Sequence, residues 1–274
     1  MHEGRYGTVV SPDGTTIGYQ RAGEGPVPLV ALHGGTADRT RWQVVAPLLA
    51  EHHAVWLVDR RGRGLSGDAP AYDLDREVDD LVSVVAAAGP GTVLLAHSFG
   101  ATVALRAAPR LERLAGMVLY EPAFETPGHV MVNEAAFATL EGLLAAGNRE
   151  RALQRFFRDV VGLSPVAVES RRPTWIWEAR LAAVHTLTRE GRAARAFRLQ
   201  PEGLRSLPYP VLVMAGTESP AWLRSAAQAA HEALPGSGLV ELDGQAHMAM
   251  DTAPEAFARE VSSFVRSCAA AHSR

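Results

Sequence analysis

The chain has 274 residues, 47% of them hydrophobic and 21% charged, so it can bury one large core or a core plus a modest subdomain. Its 27 basic and 30 acidic residues include no block of like charge, which argues against a nucleic-acid-binding protein. A single cysteine, Cys268, excludes an internal disulfide and a cysteine-based metal site. The sequence contains no lysine, so Schiff-base and P-loop chemistries are also excluded.

The first residues lack the pattern of a secretory leader, and no later apolar stretch is long enough to cross a bilayer. We therefore expect a cytoplasmic protein without a membrane or nucleic-acid partner. The abundance of Arg and Ala is typical of a GC-rich bacterial genome. The oligomeric state is left open.

In chain order, a turn signal at residues 11–14 is followed by alternation over residues 15–20, which predicts an antiparallel hairpin. Short apolar runs without alternation then predict strands buried on both faces of a parallel sheet, at residues 28–32, 54–58, 92–96, 115–119 and 210–214. Helical patterns lie between or after them, at residues 40–51, 73–88, 100–108, 220–234 and 254–269. The alternation predicts an α/β fold: a mostly parallel central sheet with helices on both faces.

Residues 122–207 interrupt this alternation, because helical periods dominate there and no buried-strand run is present. Helices are predicted at 133–146, 149–161 and 174–190. We expect a core domain formed by residues 1–121 and 208–274, with a helical insertion at 122–207.

Ser98 lies where a predicted strand runs into a helix, in the sequence Ala96-His97-Ser98-Phe99-Gly100. Small residues on both sides of a serine let strand and helix approach closely around a sharp turn that exposes the hydroxyl. The pattern favours Ser98 as a nucleophile, although a serine at this position can also merely cap the helix.

Two further segments fall at the same edge of the predicted sheet. His33-Gly34-Gly35 follows an earlier strand, and the backbone amides of Gly35 and Phe99 are the predicted oxyanion-hole donors. His247 follows the last predicted strand, on a loop from which its imidazole can reach the nucleophile and act as general base. That position separates His247 from the other nine histidines.

These segments occur in the order found in the α/β-hydrolase fold superfamily, which the chain resembles over nearly its whole length. The segment from Asp59 to Ser66 is similar to the family's D-x-R-G-x-G-x-S turn. The resemblance implies that this turn is structural, that the 122–207 insertion is a lid over the active site, and that no metal or organic cofactor is needed.

The sequence departs from the family pattern at the catalytic acid. Ser219 occupies the position after residues 211–214 at which the family usually has aspartate. Certain dehalogenases of the family place the acid one strand earlier, and Glu121 resembles that arrangement. We favour Glu121, with Glu218 as the second candidate and Asp243 as the third.

A serine nucleophile implies acyl chemistry, because epoxide hydrolases and haloalkane dehalogenases of this fold use aspartate there. The predicted function is hydrolysis of an ester, thioester, lactone or activated C–C bond in a small, largely apolar molecule through an acyl-enzyme. The predicted substrate-contacting side chains are Phe157, Trp175, Trp177 and Met248. Arginines of the insertion could hold a substrate carboxylate, namely Arg171, Arg172, Arg180 and Arg198.

Two other functions remain open from the sequence. The protein could be a non-hydrolytic enzyme of this fold, such as a lyase or cyclase, in which Ser98 only donates a hydrogen bond. It could also be a ligand-binding protein with vestigial machinery.

Overall fold

The short apolar runs form the centre of one sheet, which confirms the predicted α/β-hydrolase architecture. The computed structural model describes residues 5–131, 134–169, 172 and 174–272. The strands found there are β1 (Arg5–Val10), β2 (Thr16–Ala22), β3 (Pro28–Leu32), β4 (Ala54–Val58), β5 (Val93–His97), β6 (Gly116–Tyr120), β7 (Val211–Gly216) and β8 (Gly238–Leu242). Their order is β1-β2-β4-β3-β5-β6-β7-β8, antiparallel at β1-β2 and β2-β4 and parallel elsewhere.

Helices cover both faces of this sheet. The α-helices of the described residues are α1 (Ala46–Ala50), α2 (Leu74–Ala88), α3 (Phe99–Ala107), α4 (Glu134–Ala145), α5 (Arg149–Asp159), α6 (Pro165–Glu169), α7 (Trp175–Ala183), α8 (Leu187–Ala196), α9 (Pro201–Leu204), α10 (Ala221–Ala233), α11 (Ala249–Thr252) and α12 (Pro254–His272). Short 3₁₀ helices span Arg39–Trp42, Ala108–Arg110 and Val184–Thr186. None of the described helices is long and apolar enough to cross a membrane.

Alternation of side chains along the buried strands divides the core in two. Along β5, Leu94 and Ala96 belong to the core beneath α2, α3 and α10, whereas Val93 and Leu95 belong to the core beneath α1 and α12. Every residue of β5 is buried. Burial on both faces is the physical reason that this strand reads as a continuous apolar run in the sequence.

The segment between β6 and β7 is helical. Its described residues from 134 to 207 carry α4 to α9 and no strand. The helix predicted at 174–190 is divided: α7 ends at Ala183, a 3₁₀ turn follows, and α8 begins at Leu187 and continues to Ala196. Side-chain periodicity alone does not reveal such a break, because a 3₁₀ turn nearly preserves the helical spacing.

The topology brings several loops together at one edge. β3 lies between β4 and β5, so the chain passes from β3 to the neighbour on one side and then crosses β3 to reach β5 on the other side. A crevice forms at such a switch point, outside the carboxyl ends of the strands. The 33–35 loop, Ser98 and Glu121 follow β3, β5 and β6 directly and therefore share this edge.

We predict that His53, a buried histidine at the amino edge of the sheet, makes the folded state less stable in acid. His53 is 3% exposed and its Nε2 lies 3.1 Å from Ser262 Oγ. Burial, with the charges of His52 and Arg266, lowers the pKa of His53 from 6.5 to about 4. Between these values the unfolded chain binds a proton that the folded protein does not, so stability is lost as the pH falls through this window.

Urea unfolding at pH 7 and at pH 5 measures this effect. The loss of unfolding free energy between the two pH values should be smaller in His53→Gln than in the wild type. His52→Gln, at the exposed neighbouring position, is the control and should retain most of the wild-type loss, because burial is the largest cause of the shifted pKa. Equal losses in all three proteins would contradict the prediction.

Candidate active site

Ser98 adopts a strained backbone conformation between β5 and α3. Its φ of 57° and ψ of −126° lie outside the conformations that L-residues favour. Its N–H donates to Tyr120 O at 2.9 Å, and its carbonyl accepts from the α3 amides of Ala101 and Thr102. A Cβ on Gly100 would lie 2.5 Å from His33 O, which explains why this position needs glycine.

His247 approaches Ser98 from the loop after β8. Its Nε2 is 3.0 Å from Ser98 Oγ. The backbone carbonyl of His247 accepts a hydrogen bond from His97 Nε2 at 3.0 Å, which holds the loop in place. Burial keeps the pKa of His97 well below its ordinary value, so this donor is neutral and adds no competing charge beside His247.

Glu121 occupies the other side of His247. It is fully buried at the end of β6, has a φ of 48°, and places Oε2 2.5 Å from His247 Nδ1. Its Oε1 accepts from Gly216 N at 2.7 Å and from Ser219 Oγ at 2.5 Å. Two donors on one oxygen leave the other oxygen directed at the imidazole.

The other carboxylates considered from the sequence lie elsewhere. Glu218 is exposed, and its amide is held by Gln245 O at 2.8 Å. Asp243 is exposed as well. Ser219, at the position where aspartate was expected, instead donates its hydroxyl hydrogen to Glu121. The structure therefore brings Glu121, rather than Glu218 or Asp243, to His247.

The orientation of the 33–35 loop is fixed by hydrogen bonds to one carbonyl. Gly34 O accepts from His33 Nδ1 at 2.8 Å and from Arg60 Nη1 at 3.1 Å. Because a trans peptide directs its C=O and N–H oppositely, the Gly35 N–H points away from Arg60. Burial and the charges of Arg63 and Arg60 hold the pKa of His33 well below normal, and its Nε2 accepts from Arg60 N.

Charged side chains from the core and the helical segment meet under this loop. Arg60 pairs with Glu77 at 2.5 Å and lies 3.3 Å from Glu190, which belongs to α8. Arg63 pairs with Glu190 as well. Arg60 also lies over the ring of Phe99, 4.7 Å from its centre. Glu190 thus ties the helical segment, through Arg60, to the loop that carries one predicted oxyanion donor, the amide of Gly35.

Two small cavities flank Ser98 and His247. The first has a volume of about 30 Å³ and is lined in part by Thr36, Arg41 and Arg180. The second has a volume of about 50 Å³ and is largely apolar, with Trp222 in its wall. Gly35 borders both cavities, and Phe99 borders the second.

Only some of the residues predicted to contact substrate line the two cavities. Phe157 and Met248 line the first cavity. Trp177 lines neither, because its ring lies 6.0 Å behind that of Phe157 and its Nε1 donates to Glu150 at 3.1 Å. We correct that prediction: Trp177 supports the wall. The side chain of Trp175 is outside the described part of the structure.

Of the arginines predicted to hold a substrate carboxylate, one lies at a cavity and others do not. Arg180 lines the first cavity. Arg172 pairs with Glu150 and Glu169, and Arg198 donates to nearby backbone carbonyls. Arg171 is outside the described residues.

Sequence reasoning missed four neighbours of the site: Thr36, Arg41, Arg60 and Glu190. Thr36 was detectable in principle, since it directly follows the 33–35 loop. The partners of the other three depend on contacts between distant parts of the chain. No group of three or more His, Cys, Asp or Glu side chains among the described residues is arranged to hold a metal ion.

The comparison with known families agrees with this architecture. Residues 29–260 match the model of the alpha/beta hydrolase family, and the chain belongs to that family. A solved alpha/beta hydrolase from Sphaerobacter thermophilus is 34% identical, with a TM-score of 0.83 over 94% of this chain and 99% of that one. An esterase from a Rhodococcus species is 30% identical, with a TM-score of 0.76 over 96% and 99% of the two chains.

Curated relatives match over different lengths. N-formylmaleamate deformylase of Pseudomonas putida is 38% identical over 43% of this chain and 46% of its own. The match therefore spans less than half of that relative. The pimeloyl-[acyl-carrier protein] methyl ester esterase of Klebsiella pneumoniae is 28% identical over 88% of this chain and 94% of its own.

We predict that Glu190 contributes strongly to stability. Glu190→Gln should lower the free energy of unfolding by about 3–5 kcal/mol, because Arg60 and Arg63 stay buried with less compensating charge. Denaturant unfolding measures the change. Glu134→Gln removes one of the two carboxylate partners of Arg195 at the surface, where the Glu134 side chain is 78% exposed, and should cost about 1 kcal/mol or less. Similar losses in the two variants would contradict the prediction.

Proposed function

We propose that the protein is a serine hydrolase that cleaves an ester, thioester, lactone or activated C–C bond of a small molecule. The observation that carries the proposal is the continuous hydrogen-bonded series from Ser98 Oγ to His247 Nε2, 3.0 Å, and from His247 Nδ1 to Glu121, 2.5 Å. Relatives named as deformylases and esterases support this reaction class.

In the proposed reaction, Ser98 Oγ attacks the substrate carbonyl while His247 Nε2 takes its proton. His247 then gives that proton to the leaving group, and the acyl-enzyme forms. Water, deprotonated by the same imidazole, attacks the acyl-enzyme; the bond from the acyl carbon to Ser98 Oγ then breaks, His247 returns the proton to Oγ, and the acid is released. Glu121 keeps the Nδ1 hydrogen in place and balances the positive charge that His247 acquires.

The negative charge on the substrate oxygen requires donors that are already in place. We assign this role to the amides of Gly35 and Phe99. Support comes from the anchoring of Gly34 O by Arg60 and His33, which holds the Gly35 amide in one orientation. Phe99 begins α3, where amides have no partner within the helix.

We assign residues 122–207 the role of a lid. Phe156 and Phe157 of α5 and Arg180 of α7 border the first cavity, so the segment covers Ser98. Its helices would exclude water from the acyl-enzyme and shape the substrate pocket. Phe157 and Met248 are the proposed contacts to substrate.

We predict that Ser98→Ala abolishes turnover. Because no other group can form the acyl-enzyme, kcat on short p-nitrophenyl esters should fall by about 10⁴-fold or more. A fluorophosphonate probe should label the wild type at Ser98 and leave the variant unlabelled. A folded variant that retains most of its turnover would show that Ser98 is not the nucleophile. A folded wild type that is neither labelled nor active on esters would point to a non-hydrolytic enzyme of this fold or to a binding protein.

We predict that Glu121→Gln is far more damaging than Glu218→Gln. The amide can keep its oxygen on Gly216 and Ser219 while its NH₂ faces Nδ1, which stabilises the wrong tautomer of His247 and cannot balance an imidazolium. Turnover should fall by about 10⁴-fold. Glu218 is exposed and directly precedes Ser219 in the turn after β7. Glu218→Gln should therefore change turnover by less than about twofold.

Both variants are compared at one pH, with folding confirmed by circular dichroism. A larger loss in Glu218→Gln would transfer the role of the acid to Glu218.

A further inference from the structure

The two cavities beside Ser98 differ in charge. The ionisable side chains that line the first, apart from histidines, are Arg41 and Arg180, and no carboxylate is among its described lining residues. The second contains Glu190, whose charge is matched by Arg60 and Arg63. The first cavity is thus the side lined by cationic side chains, of which Arg41 is paired with Asp251.

Both arginines of the first cavity are buried. Arg180 is 6% exposed and lies over the ring of Phe157, 5.0 Å from its centre. Arg41 is 5% exposed and pairs with Asp251 through Nη2, while its Nη1 lies 3.8 Å from the sulfur of Met248. Guanidinium groups held out of water are strong and specific partners for a carboxylate.

Polar atoms of the same cavity lack partners. Thr36 is fully buried, and its Oγ1 makes no hydrogen bond within the described structure. Arg41 Nε is likewise buried without a partner. Leaving such groups unsatisfied is costly, so a ligand atom placed beside them would be stabilised. Thr36 also has a φ of 50°, a strained conformation for a β-branched residue and one that is typical of ligand sites.

The size of the first cavity limits the ligand group. A volume of about 30 Å³ holds roughly two water-sized groups, since each needs about 10–15 Å³ by this measure. Two oxygen atoms of a carboxylate fit that space, whereas a bulky apolar group does not.

We propose that the first cavity is an anion subsite that binds a free carboxylate of the substrate through Arg180, Arg41 and Thr36. The substrate is then a short ester or related acyl compound that carries a carboxylate close to the scissile carbonyl, with its apolar part in the second cavity. This inference rests on the proposed function of Ser98 and His247.

The wild-type enzyme provides the first test, which needs no variant. Monoethyl succinate carries the carboxylate on its acyl part, and O-acetylglycolate carries it on the leaving group. Each is compared with its neutral amide, ethyl succinamate or O-acetylglycolamide. At least one charged ester should exceed its amide in kcat/KM by about 10- to 100-fold. If neither charged ester exceeds its amide, the anion subsite is wrong.

Arg180→Met tests the assignment directly. The ratio of kcat/KM for the charged and neutral ester should fall by about 10- to 100-fold, and Arg180→Lys should recover part of it because it retains the charge. Thr36→Val should lower the same ratio about tenfold or less, mainly through KM. Arg198→Met is the matched control at an exposed arginine and should keep the wild-type ratio.

The failures of the two proposals are distinguishable. If a fluorophosphonate labels the wild type, and the wild type cleaves the ester bond of the neutral analogues as fast as that of the charged esters, the anion subsite is refuted and the hydrolase is not. If a folded wild type is neither labelled nor active on any of the four esters, the hydrolase itself is refuted. A ratio that Arg180→Met leaves at the wild-type value would also overturn the role of Arg180.

Discussion

The candidate active site depends on the way two neighbouring parallel strands end. Ser98 follows β5 and Glu121 follows β6, and both residues have positive φ angles of 57° and 48°. Their amides still bond within the sheet, Ser98 N to Tyr120 O and Glu121 N to Met214 O, at 2.9 and 3.0 Å. The sheet therefore holds the backbone of both residues, while their side chains project beyond the carboxyl edge of the sheet. Strain at these positions is maintained by the surrounding hydrogen bonds and packing.

This constraint explains how the proposed catalytic acid, Glu121, can come from the end of β6. A glutamate has one more methylene than an aspartate, and Glu121 uses that length to reach His247 while Oε1 returns to the β7 side of the sheet. There it meets Gly216 N and Ser219 Oγ. Ser219 therefore completes the site as a donor at a position where a carboxylate would repel Glu121.

The same residues show what a sequence can and cannot predict. The strands, Ser98 and His247 follow from local patterns, because buried parallel strands appear as apolar runs and functional groups follow their carboxyl ends. The choice of Glu121 depended instead on a resemblance to certain dehalogenases of the family. The prediction that Trp177 contacts the substrate was wrong, because the sequence pattern of a helical aromatic residue is the same whether its side chain lines a cavity or packs behind the cavity wall. Glu190 was missed because its partners Arg60 and Arg63 are more than a hundred positions away.

The core and the helical segment contribute different groups to the proposed reaction. Bond-breaking groups come from strand ends and loops of the core, where the sheet fixes their positions. The helical segment supplies Phe157 and Arg180 around the first cavity and Glu190 beside the second. Glu190 anchors that segment to Arg60, the residue that also holds Gly34 O. The helical wall of the proposed substrate pocket is thus attached to the loop that carries Gly35, one of the two proposed oxyanion donors. Substitutions in the walls of α5 and α7 can therefore change which substrate is bound while Ser98, His247 and Glu121 keep their geometry.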